Sequence, residues 1–435
     1  MKKIKFFWNE LTASFWFIPV LLIIISLPLA LGLLYLDGMS NLSLKGLQRY
    51  VFVSSANSAR SILSTISGAM IGVAGTVFSV TLVVLTLASS QFGSRLIKNF
   101  MSVRLNQVVL GSFVSTYLYS LLILNAIKET DSFNFIPAIS ILGAIILAIV
   151  NIVLLVFFIH QIAISIQADK VVSDIHSFIS TQVTTLFPEK LGEETAETDI
   201  QEDAIKAGYN HFVVLKATNS GYLQYLDNSG LIDVMIESDA LLELFVKPGD
   251  YLVQNSEIGK IYHHVKSEDD IISNINSHFI IGKTRTSQQD FEFSINQMVE
   301  IAARALSPGV NDPFTAIACI DNLSASMSYL AQVKIPSKYR YDKEKNLRVI
   351  APTLSFESVL NTAFNQIRQF SAGSPAVIIR LMEALITISQ FTTTQKNKKA
   401  IARHAKMVLN LGKTSIKEKD DFADLLERSK LLGLE

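Results

Sequence analysis

The sequence predicts a membrane all-α four-helix N-terminal part followed by an α+β cytoplasmic domain, in which a small β-rich section precedes a helical region. Three observations predict this fold class: four long stretches without Asp, Glu, Lys or Arg, a rise in charge density after residue 168, and a change from strand-type to helix-type patterning near residue 283. We therefore divide the chain into a transmembrane domain (1–168), a stalk helix with an acidic linker (169–200), a β-rich section (201–282) and a helical region (283–435).

The four stretches without charged side chains are Leu11–Leu36, Ser61–Ser94, Leu105–Ile127 and Ser132–Ala168. Each is longer than the roughly 20 residues that an α-helix needs to cross the hydrocarbon core of a bilayer. The first is also longer than the apolar core of a cleaved signal peptide, which is about 7–15 residues. We therefore expect four membrane-spanning helices and an uncleaved first helix, with the lipid bilayer as the main partner of this part.

The rest of the chain has a different charge balance. Residues 1–168 contain 10 basic and 4 acidic side chains, whereas the remaining 267 residues contain 28 and 34. An acidic domain without a cluster of Lys and Arg is poorly suited to nucleic acid, whose binding depends on neutralising phosphates. Cys319 is the only cysteine, which excludes an intrachain disulfide and multi-thiolate metal sites.

The basic residues around the spans predict their orientation, because cytoplasmic loops are enriched in Lys and Arg. With both termini in the cytoplasm, seven basic residues lie on the cytoplasmic side and four on the other: Lys2, Lys3, Lys5, Arg95, Lys98, Arg104 and Lys170 against Lys45, Arg49, Arg60 and Lys128. We therefore expect both termini in the cytoplasm. The outer loop Asp37–Arg60 is apolar enough to lie at the membrane surface as a short amphipathic helix.

The second span has an unusual face of small residues. They recur every three or four positions and so lie on one side of the helix, at Gly68, Gly72, Gly75 and Ser79. Thr65, Thr76 and Thr81 add hydroxyl groups to the same span. Small residues allow another helix to approach closely, which drives helix association in lipid. Two interpretations remain open: tight packing inside the helix bundle, or a face that lines or hinges a pore, where hydroxyl oxygens would meet a passing ion.

The C-terminal part begins with a helical pattern from residue 162 to 187, which we expect to continue the fourth span as an amphipathic stalk that ends before Pro188. Strand-type runs follow at 211–217, 221–226, 241–246, 251–253 and 258–262, with a helix over 228–238 capped by Asp227. Further helices are predicted near 291–306 and at 354–370, 375–390, 396–411 and 419–432.

One loop motif, "SPGVNDP", lies between two predicted helices. Its residues are Ser307, Pro308, Gly309, Asn311, Asp312 and Pro313, around Val310. Pro-Gly ends one helix, Asn-Asp suits an N-cap, and proline is favoured at the first helical position because it has no amide hydrogen to leave unpaired. Capping and turn chemistry therefore account for most of the motif. Arg285 and Arg304 near it are candidate contacts for an anion.

The chain lacks the common motifs of catalysis and cofactor binding. We find no Walker loop, no GxGxxG after a strand, no GxSxG elbow, no HExxH and no EF-hand loop. The cluster of His263, His264, Asp269, Asp270 and His278 fits no standard metal spacing. We therefore expect no catalytic residue, no metal site and no cofactor, and a protein that is not an enzyme.

Several strings together resemble one family. They are "ARSILSTISGAMIGVAGTVFSVTLVVLTLASSQFGSRL" (59–96), "NQVVLGSFV" (106–114), "IGKTRTSQQDFEF" (281–293) and "ARALSPGVNDPFTA" (303–316). In this order they are similar to the bacterial membrane-protein family catalogued as domain of unknown function 2254, in which isoleucine is common in place of Val310. The resemblance implies a multi-pass protein of the bacterial inner membrane with a four-span N-terminal part and a cytoplasmic body. It implies no activity.

Two functional classes remain. The first is a homo-oligomeric channel or conductance protein with the second span near its axis and the cytoplasmic domain controlling it. The alternative is a membrane-anchored sensor or scaffold protein without transport activity, whose second span binds a partner helix. A carboxylate-driven transporter is disfavoured, because none of the four spans contains a charged residue.

Overall fold

The computed structural model of the protein describes residues 8, 11–12, 14–39, 55–93, 103–130, 133–187, 201–264 and 269–434. The chain divides into two compact units, Met1–Lys170 and Val171–Glu435, which we call the N-terminal unit and the C-terminal unit. Three sequence-based predictions lie outside the described residues: the surface helix expected in the outer loop Asp37–Arg60, of which residues 40–54 are not described, the acidic linker from 188 to 200, and seven of the eleven basic residues used to predict orientation.

The N-terminal unit contains four long helices and a short hairpin. They are α1 (Phe17–Met39), α2 (Ala56–Phe92), α3 (Arg104–Ala126), the antiparallel pair β1 (Lys128–Thr130) and β2 (Phe133–Phe135), and α4 (Ala138–Ser165). Each of the four helices is long and apolar enough to cross a membrane. The predicted four-helix membrane part is therefore confirmed, whereas the hairpin was not predicted.

Helix α3 lies against each of the other three helices of this unit. The buried residues of α2 recur every three or four positions, among them Leu63, Met70 and Val77, as expected for a helix with one packed face. Between α3 and α4, the buried amide of Asn151 donates a hydrogen bond to the hydroxyl of Thr116 at 2.8 Å. Interhelical polar pairs of this kind join helices in lipid.

Asp37 has a structural role that its position in the sequence does not reveal. It lies inside α1, not in the following loop, and its carboxylate accepts hydrogen bonds from the amides of Ile139 and Ser140 at 2.8 and 2.9 Å. The Ser140 hydroxyl donates a third at 2.6 Å. These amides belong to the first turn of α4, where a negative charge complements the helix dipole. The end of α1 therefore caps the start of α4.

The C-terminal unit contains two sheets. Its strands are β3 (His211–Lys216), β4 (Gly221–Leu226), β5 (Leu241–Leu244), β6 (Tyr251–Leu252), β7 (Glu257–His263), β8 (Phe279–Gly282), β9 (Tyr339–Tyr341) and β10 (Leu347–Ile350). The larger sheet has the order β3-β7-β5-β10-β9 and the smaller one β6-β4-β8. All five predicted strands are present. The region after residue 283, expected to be helical, differs because it contributes β9 and β10, with β10 parallel to β5.

The helices of this unit are α5 (Ala168–Leu186), α6 (Glu202–Lys206), α7 (Asn228–Glu237), α8 (Asp269–Ser277), α9 (Phe291–Ala305), α10 (Pro313–Leu330), α11 (Phe356–Phe370), α12 (Pro375–Gln390), α13 (Gln395–Ser415) and α14 (Lys419–Lys430). The predicted continuous stalk is wrong: α4 ends at Ser165, and a turn in which the Gln167 amide donates to the Ile164 carbonyl precedes α5. Hydrophobic periodicity misses this break because the apolar pattern continues on both sides of it.

The core of the C-terminal unit follows the predicted faces. Buried residues from β3, β4, β5 and β7 form one cluster, which includes Leu215, Leu223, Leu242 and Ile261. On α9 the helical pattern of the sequence places Phe291, Ile295, Met298, Val299, Ala302 and Leu306 on one face, and all of these except the half-buried Leu306 are buried. Helix α9 packs against α10 and α11, and α12 packs against α10 and α13. The unit is therefore a mixed sheet next to a layered helical region, as the predicted α+β class requires.

Candidate functional site

The small-residue face of α2 lies opposite the face that packs in the N-terminal unit. Among the described residues, a Cβ atom added at Gly68, Gly72 or Gly75 would meet nothing within 4 Å, and Ser79 is exposed as well. The first interpretation, packing inside the helix bundle, therefore has no support among the described residues of the same chain. The bundle is packed instead by the other side of the helix, where large and small residues are both buried, such as Leu63, Ser67, Met70 and Ala74. Thr81, a third predicted hydroxyl, is buried on that side and not on the small-residue face.

This face is part of a longer row of exposed small residues, which we call the α2 stripe: Ser61, Thr65, Gly68, Gly72, Gly75, Thr76, Ser79, Thr86 and Ser90. At about 1.5 Å of rise per residue the stripe is roughly 44 Å long. A hydrocarbon core is about 30 Å thick, so the stripe is long enough to cross it completely. Exposed large side chains flank it, such as Ile71 and Phe78, and the exposed side chain of Val83 interrupts it between Ser79 and Thr86.

The hydroxyl groups of the stripe donate their hydrogens within the helix. Thr65 donates to the Ser61 carbonyl at 2.8 Å, Thr76 to that of Gly72 at 3.2 Å, and Ser79 to that of Gly75 at 2.9 Å. Such bonds satisfy the donor and leave the hydroxyl oxygen's lone pairs to accept from outside the helix. The stripe is thus uncharged, narrow and lined with oxygen acceptors.

The loop motif between α9 and α10 forms the predicted caps. The Asp312 carboxylate accepts hydrogen bonds from the Thr315 amide at 3.1 Å and from the Thr315 hydroxyl at 2.6 Å. The hydroxyl bond is the main reason that the pKa of Asp312 is lower than usual. Ser307 donates to the Arg304 carbonyl at 2.6 Å, and Asn311 has the left-handed φ of 50°. Pro313 is the first residue of α10, as predicted.

Capping does not explain the whole motif. Pro308 and Gly309 are exposed, and a Cβ atom added at Gly309 would meet nothing within 4 Å among the described residues. Val310 is 55% exposed and Phe314 is 79% exposed. The motif and the start of α10 therefore present two large apolar side chains on the surface, Val310 in the loop and Phe314 in the first turn of the helix, next to the cap at Asp312.

The two arginines proposed as anion contacts each have a carboxylate partner. Arg285 Nη2 lies 2.6 Å from Asp290 Oδ2, and Arg304 Nη2 lies 3.5 Å from Glu300 Oε1. Burial raises the pKa of Asp290, and the Arg285 charge opposes that shift. Because these pairs already balance the charge, an anion at Arg285 or Arg304 stays a prediction without support from the geometry.

The histidine cluster is dispersed over several contacts. His264 stacks on Tyr209 with 4.8 Å between ring centroids, and His278 Nδ1 lies 3.7 Å from an oxygen of Asp227. No group of three or more His, Cys, Asp or Glu that could hold a metal ion occurs in the part of the chain that the structure describes.

A cleft in the C-terminal unit was missed in the sequence. It has a volume of about 170 Å³ and is lined by segments that are far apart along the chain: the end of α5, the start of α7, the turn after β5, the start of α9, and the loops before β9 and after β10. Its walls include Phe187, Pro248, Phe291, Pro336 and Leu354, with Lys247 and Arg340 as the cationic residues. Only the fold brings these positions together, so no local motif marks them.

The turn beside this cleft is fixed to the start of α9. Lys247 Nζ lies 2.7 Å from Glu292 Oε2. Gly249 has a φ of 100°, and a Cβ atom there would overlap the carboxylate of Asp290. Asp290 in turn accepts the Phe293 amide at 2.9 Å and so caps α9. This edge of the cleft therefore has a fixed geometry.

Comparison with known proteins identifies relatives but no activity. The family model described as "Predicted membrane protein (DUF2254)" matches residues 12–387. An uncharacterised protein of Mycobacterium bovis and one of Mycobacterium tuberculosis are each 33% identical to this chain over 394 residues, which covers 89% of the chain and 73% of the relative. No solved structure matches the chain. Since the family model matches most of its length, the chain belongs to the DUF2254 family of predicted membrane proteins.

Proposed function

We propose that this protein is a homo-oligomeric channel or conductance protein, in which the α2 stripes of several copies face a shared axis. One observation carries the proposal. The stripe is long enough to cross a bilayer, is exposed on the side of α2 that faces away from its own bundle, and has no packing role among the described residues of the chain.

Association through the stripe has a physical cause. Lipid tails are as apolar as leucine side chains, so burial of apolar surface adds little to helix association in a membrane. Small residues instead let backbones approach closely, and the close approach adds dispersion contacts. Gly68, Gly72 and Gly75 provide such a surface over two turns of α2.

Conduction is supported by the chemistry of the same row. Hydroxyl oxygens at Thr65, Thr76 and Ser79 have their hydrogens engaged within α2. Their remaining lone pairs can replace part of the hydration shell of a cation. The nine residues of the stripe carry no charge, so each contact is weak and an ion can leave as readily as it enters.

The proposal includes a location and an orientation. We place the protein in the bacterial inner membrane with both termini in the cytoplasm, because the count of basic residues favours that orientation. The C-terminal unit is then cytoplasmic and controls conduction. We expect no enzymatic activity, since the sequence has no recognisable pattern of nucleophile and base.

The alternative function is that of a membrane-anchored sensor or scaffold. The observation that favours it is a small apolar surface formed by two exposed side chains, Val310 in the loop and Phe314 at the start of α10. The cap at Asp312 fixes the backbone between them. In this alternative the α2 stripe binds the helix of a partner protein and nothing is conducted.

Electrical recording from planar bilayers tests the proposal. We expect the purified protein to give unitary currents under membrane tension, voltage or a pH change, and Gly72→Leu and Gly75→Leu to block or strongly alter them. Gly32→Leu in α1 is the matched control, because a Cβ atom at Gly32 also meets nothing within 4 Å among the described residues. A wild-type protein that stays silent under all three stimuli would refute conduction and leave the scaffold function.

A further inference from the structure

We propose that the cleft of the C-terminal unit binds a small organic carboxylate with about one aromatic ring, and that Arg340 pairs with its carboxylate group. This inference does not depend on conduction. It rests on the charges, the walls and the size of the cleft.

Arg340 is a cation without a carboxylate partner among the described residues. Its Nη1 donates one long hydrogen bond, to the carbonyl oxygen of the adjacent Tyr339 at 3.4 Å. It lies on β9 opposite Val349 of β10, so its backbone is held in the larger sheet. Burial lowers the pKa of Arg340 because a charge removed from water loses solvation. A bound anion would compensate that loss.

The other charges of the cleft are already balanced. Lys247 pairs with Glu292 at 2.7 Å, and Asp290 pairs with Arg285 at 2.6 Å. One positive charge therefore remains, that of Arg340, and two carboxylates lie close by. A ligand with a single negative charge suits this balance, whereas a dianion such as a phosphate monoester would leave one negative charge uncompensated in a partly buried site. A guanidinium also offers paired donors that match the two oxygens of a carboxylate.

The walls indicate an apolar, preferably aromatic, body for the ligand. Phe187 and Phe291 meet edge to face, with ring centroids 5.8 Å apart and planes at 83°. Both are deeply buried, so they form a rigid wall. Pro248, Pro336 and Leu354 complete the apolar lining. Aromatic rings prefer such offset or edge-to-face neighbours.

The volume sets the size of the ligand. An apolar cavity of about 150 Å³ is large enough to bind benzene. The cleft measures about 170 Å³, which leaves room for one ring and a carboxylate group. Benzoate is therefore a suitable probe, and larger two-ring acids are not.

Fluorine NMR on the full-length protein in nanodiscs tests the inference, with empty nanodiscs as the reference for partition into lipid. We expect 4-fluorobenzoate to bind saturably and 4-fluorobenzamide, its neutral analogue, to bind at least tenfold more weakly. Inorganic phosphate at tenfold excess should not displace the benzoate. Equal binding of the two fluorinated compounds, competition by phosphate, or the absence of saturable benzoate binding would each overturn the proposal.

Single substitutions test whether benzoate binds in this cleft. Arg340→Gln should weaken benzoate binding at least tenfold, and Arg340→Lys less than that. Arg403→Gln is the matched control, because Arg403 is an exposed arginine of the same unit that pairs with Glu357 at 2.7 Å. Leu354→Trp, which fills the cleft and keeps Arg340, should abolish binding and provides a second test if Arg340→Gln does not fold. Unchanged affinity in Arg340→Gln or in Leu354→Trp would contradict the assignment.

Discussion

Two sets of glycines in the N-terminal unit differ in what surrounds them. In α3 a Cβ atom at Gly111 would lie 2.7 Å from the Cα of Pro19 in α1, and in α4 a Cβ atom at Gly143 would lie 2.8 Å from the Tyr119 hydroxyl oxygen. At the glycines of α2, such as Gly72 and Gly75, it would meet nothing within 4 Å among the described residues.

The difference shows which contacts the chain makes by itself. Gly111 and Gly143 lie where neighbouring helices need the space of a missing side chain, so the fold of one chain explains them. The glycines of the α2 stripe have no such neighbour in the part of the chain that the structure describes. We infer that their neighbour is another copy, and the predictions below compare changes on the inner, packed side of the molecule with changes on this outer side.

The largest effect is expected for Gly111→Val. The new side chain would strike the Pro19 backbone, which cannot move aside as a flexible side chain can, and it would also crowd Leu22. Overpacking of this kind costs about 3 kcal/mol. The free energy of unfolding in mixed detergent micelles, measured by titration with a denaturing detergent, should fall by that amount. Gly32→Val in α1 is the control; an equal loss there would show that valine itself, not the contact, is harmful.

A smaller effect is expected for Gly249→Ala in the C-terminal unit. The residue has a φ of 100°, and the added methyl group would overlap the Asp290 carboxylate. A left-handed backbone at a residue other than glycine costs on the order of 1–3 kcal/mol. We expect a loss of about 2 kcal/mol, with faster hydrogen exchange at the start of α9. Gly309 has open surroundings, so Gly309→Ala should change neither the free energy of unfolding nor the hydrogen exchange of α9. Equal effects of the two substitutions would contradict the role given to the contact between Gly249 and Asp290.

Asp37→Asn tests a polar contact on the inner side of the N-terminal unit. The carboxylate accepts three hydrogen bonds at the start of α4, and an amide would retain the shape but lose the charge and one acceptor oxygen. Loss of such a cap costs about 1 kcal/mol. Thr76→Val on the outer side removes a hydroxyl that, among the described residues, donates to the Gly72 carbonyl of its own helix. This substitution should leave the free energy of unfolding of the monomer nearly unchanged. A larger loss than for Asp37→Asn would contradict the placement of Asp37 on the inner side and Thr76 on the outer side.

The sequence predicted the membrane part because charges are excluded from hydrocarbon, and it predicted the cap at Asp312 because capping chemistry is local. It did not reveal Asp37 as a cap, β10 as a partner of β5, or Arg340 as a residue of the cleft. The first two depend on contacts between positions more than 100 residues apart, and the cleft combines segments between residues 186 and 354. Local patterns contain no information about such contacts.

The orientation of α2 shows a second reason why the sequence does not predict some features of the structure. In water, the polar face of a helix identifies the side that faces solvent. In lipid that rule does not apply, because both faces of a spanning helix are uncharged. The spacing of Gly68 and Gly72 therefore predicts a shared face, but it does not predict whether that face packs inside the bundle. Only the packed positions of Leu63 and Met70 decide it.

The smallest effect on the fold, and the largest on assembly, is expected for Gly72→Leu combined with Gly75→Leu. The substitutions fill open space in the monomer, so its free energy of unfolding should change by less than about 0.5 kcal/mol. They should nevertheless prevent close approach of a second α2 helix.

Counting the subunits of single particles in lipid by stepwise photobleaching measures this directly. We predict several copies per particle for the wild type and for Gly32→Leu, and one copy for the Gly72→Leu/Gly75→Leu variant. A wild-type protein that is monomeric in lipid, or a double variant with the same number of copies as the wild type, would contradict the central claim that the α2 stripe joins copies of this chain.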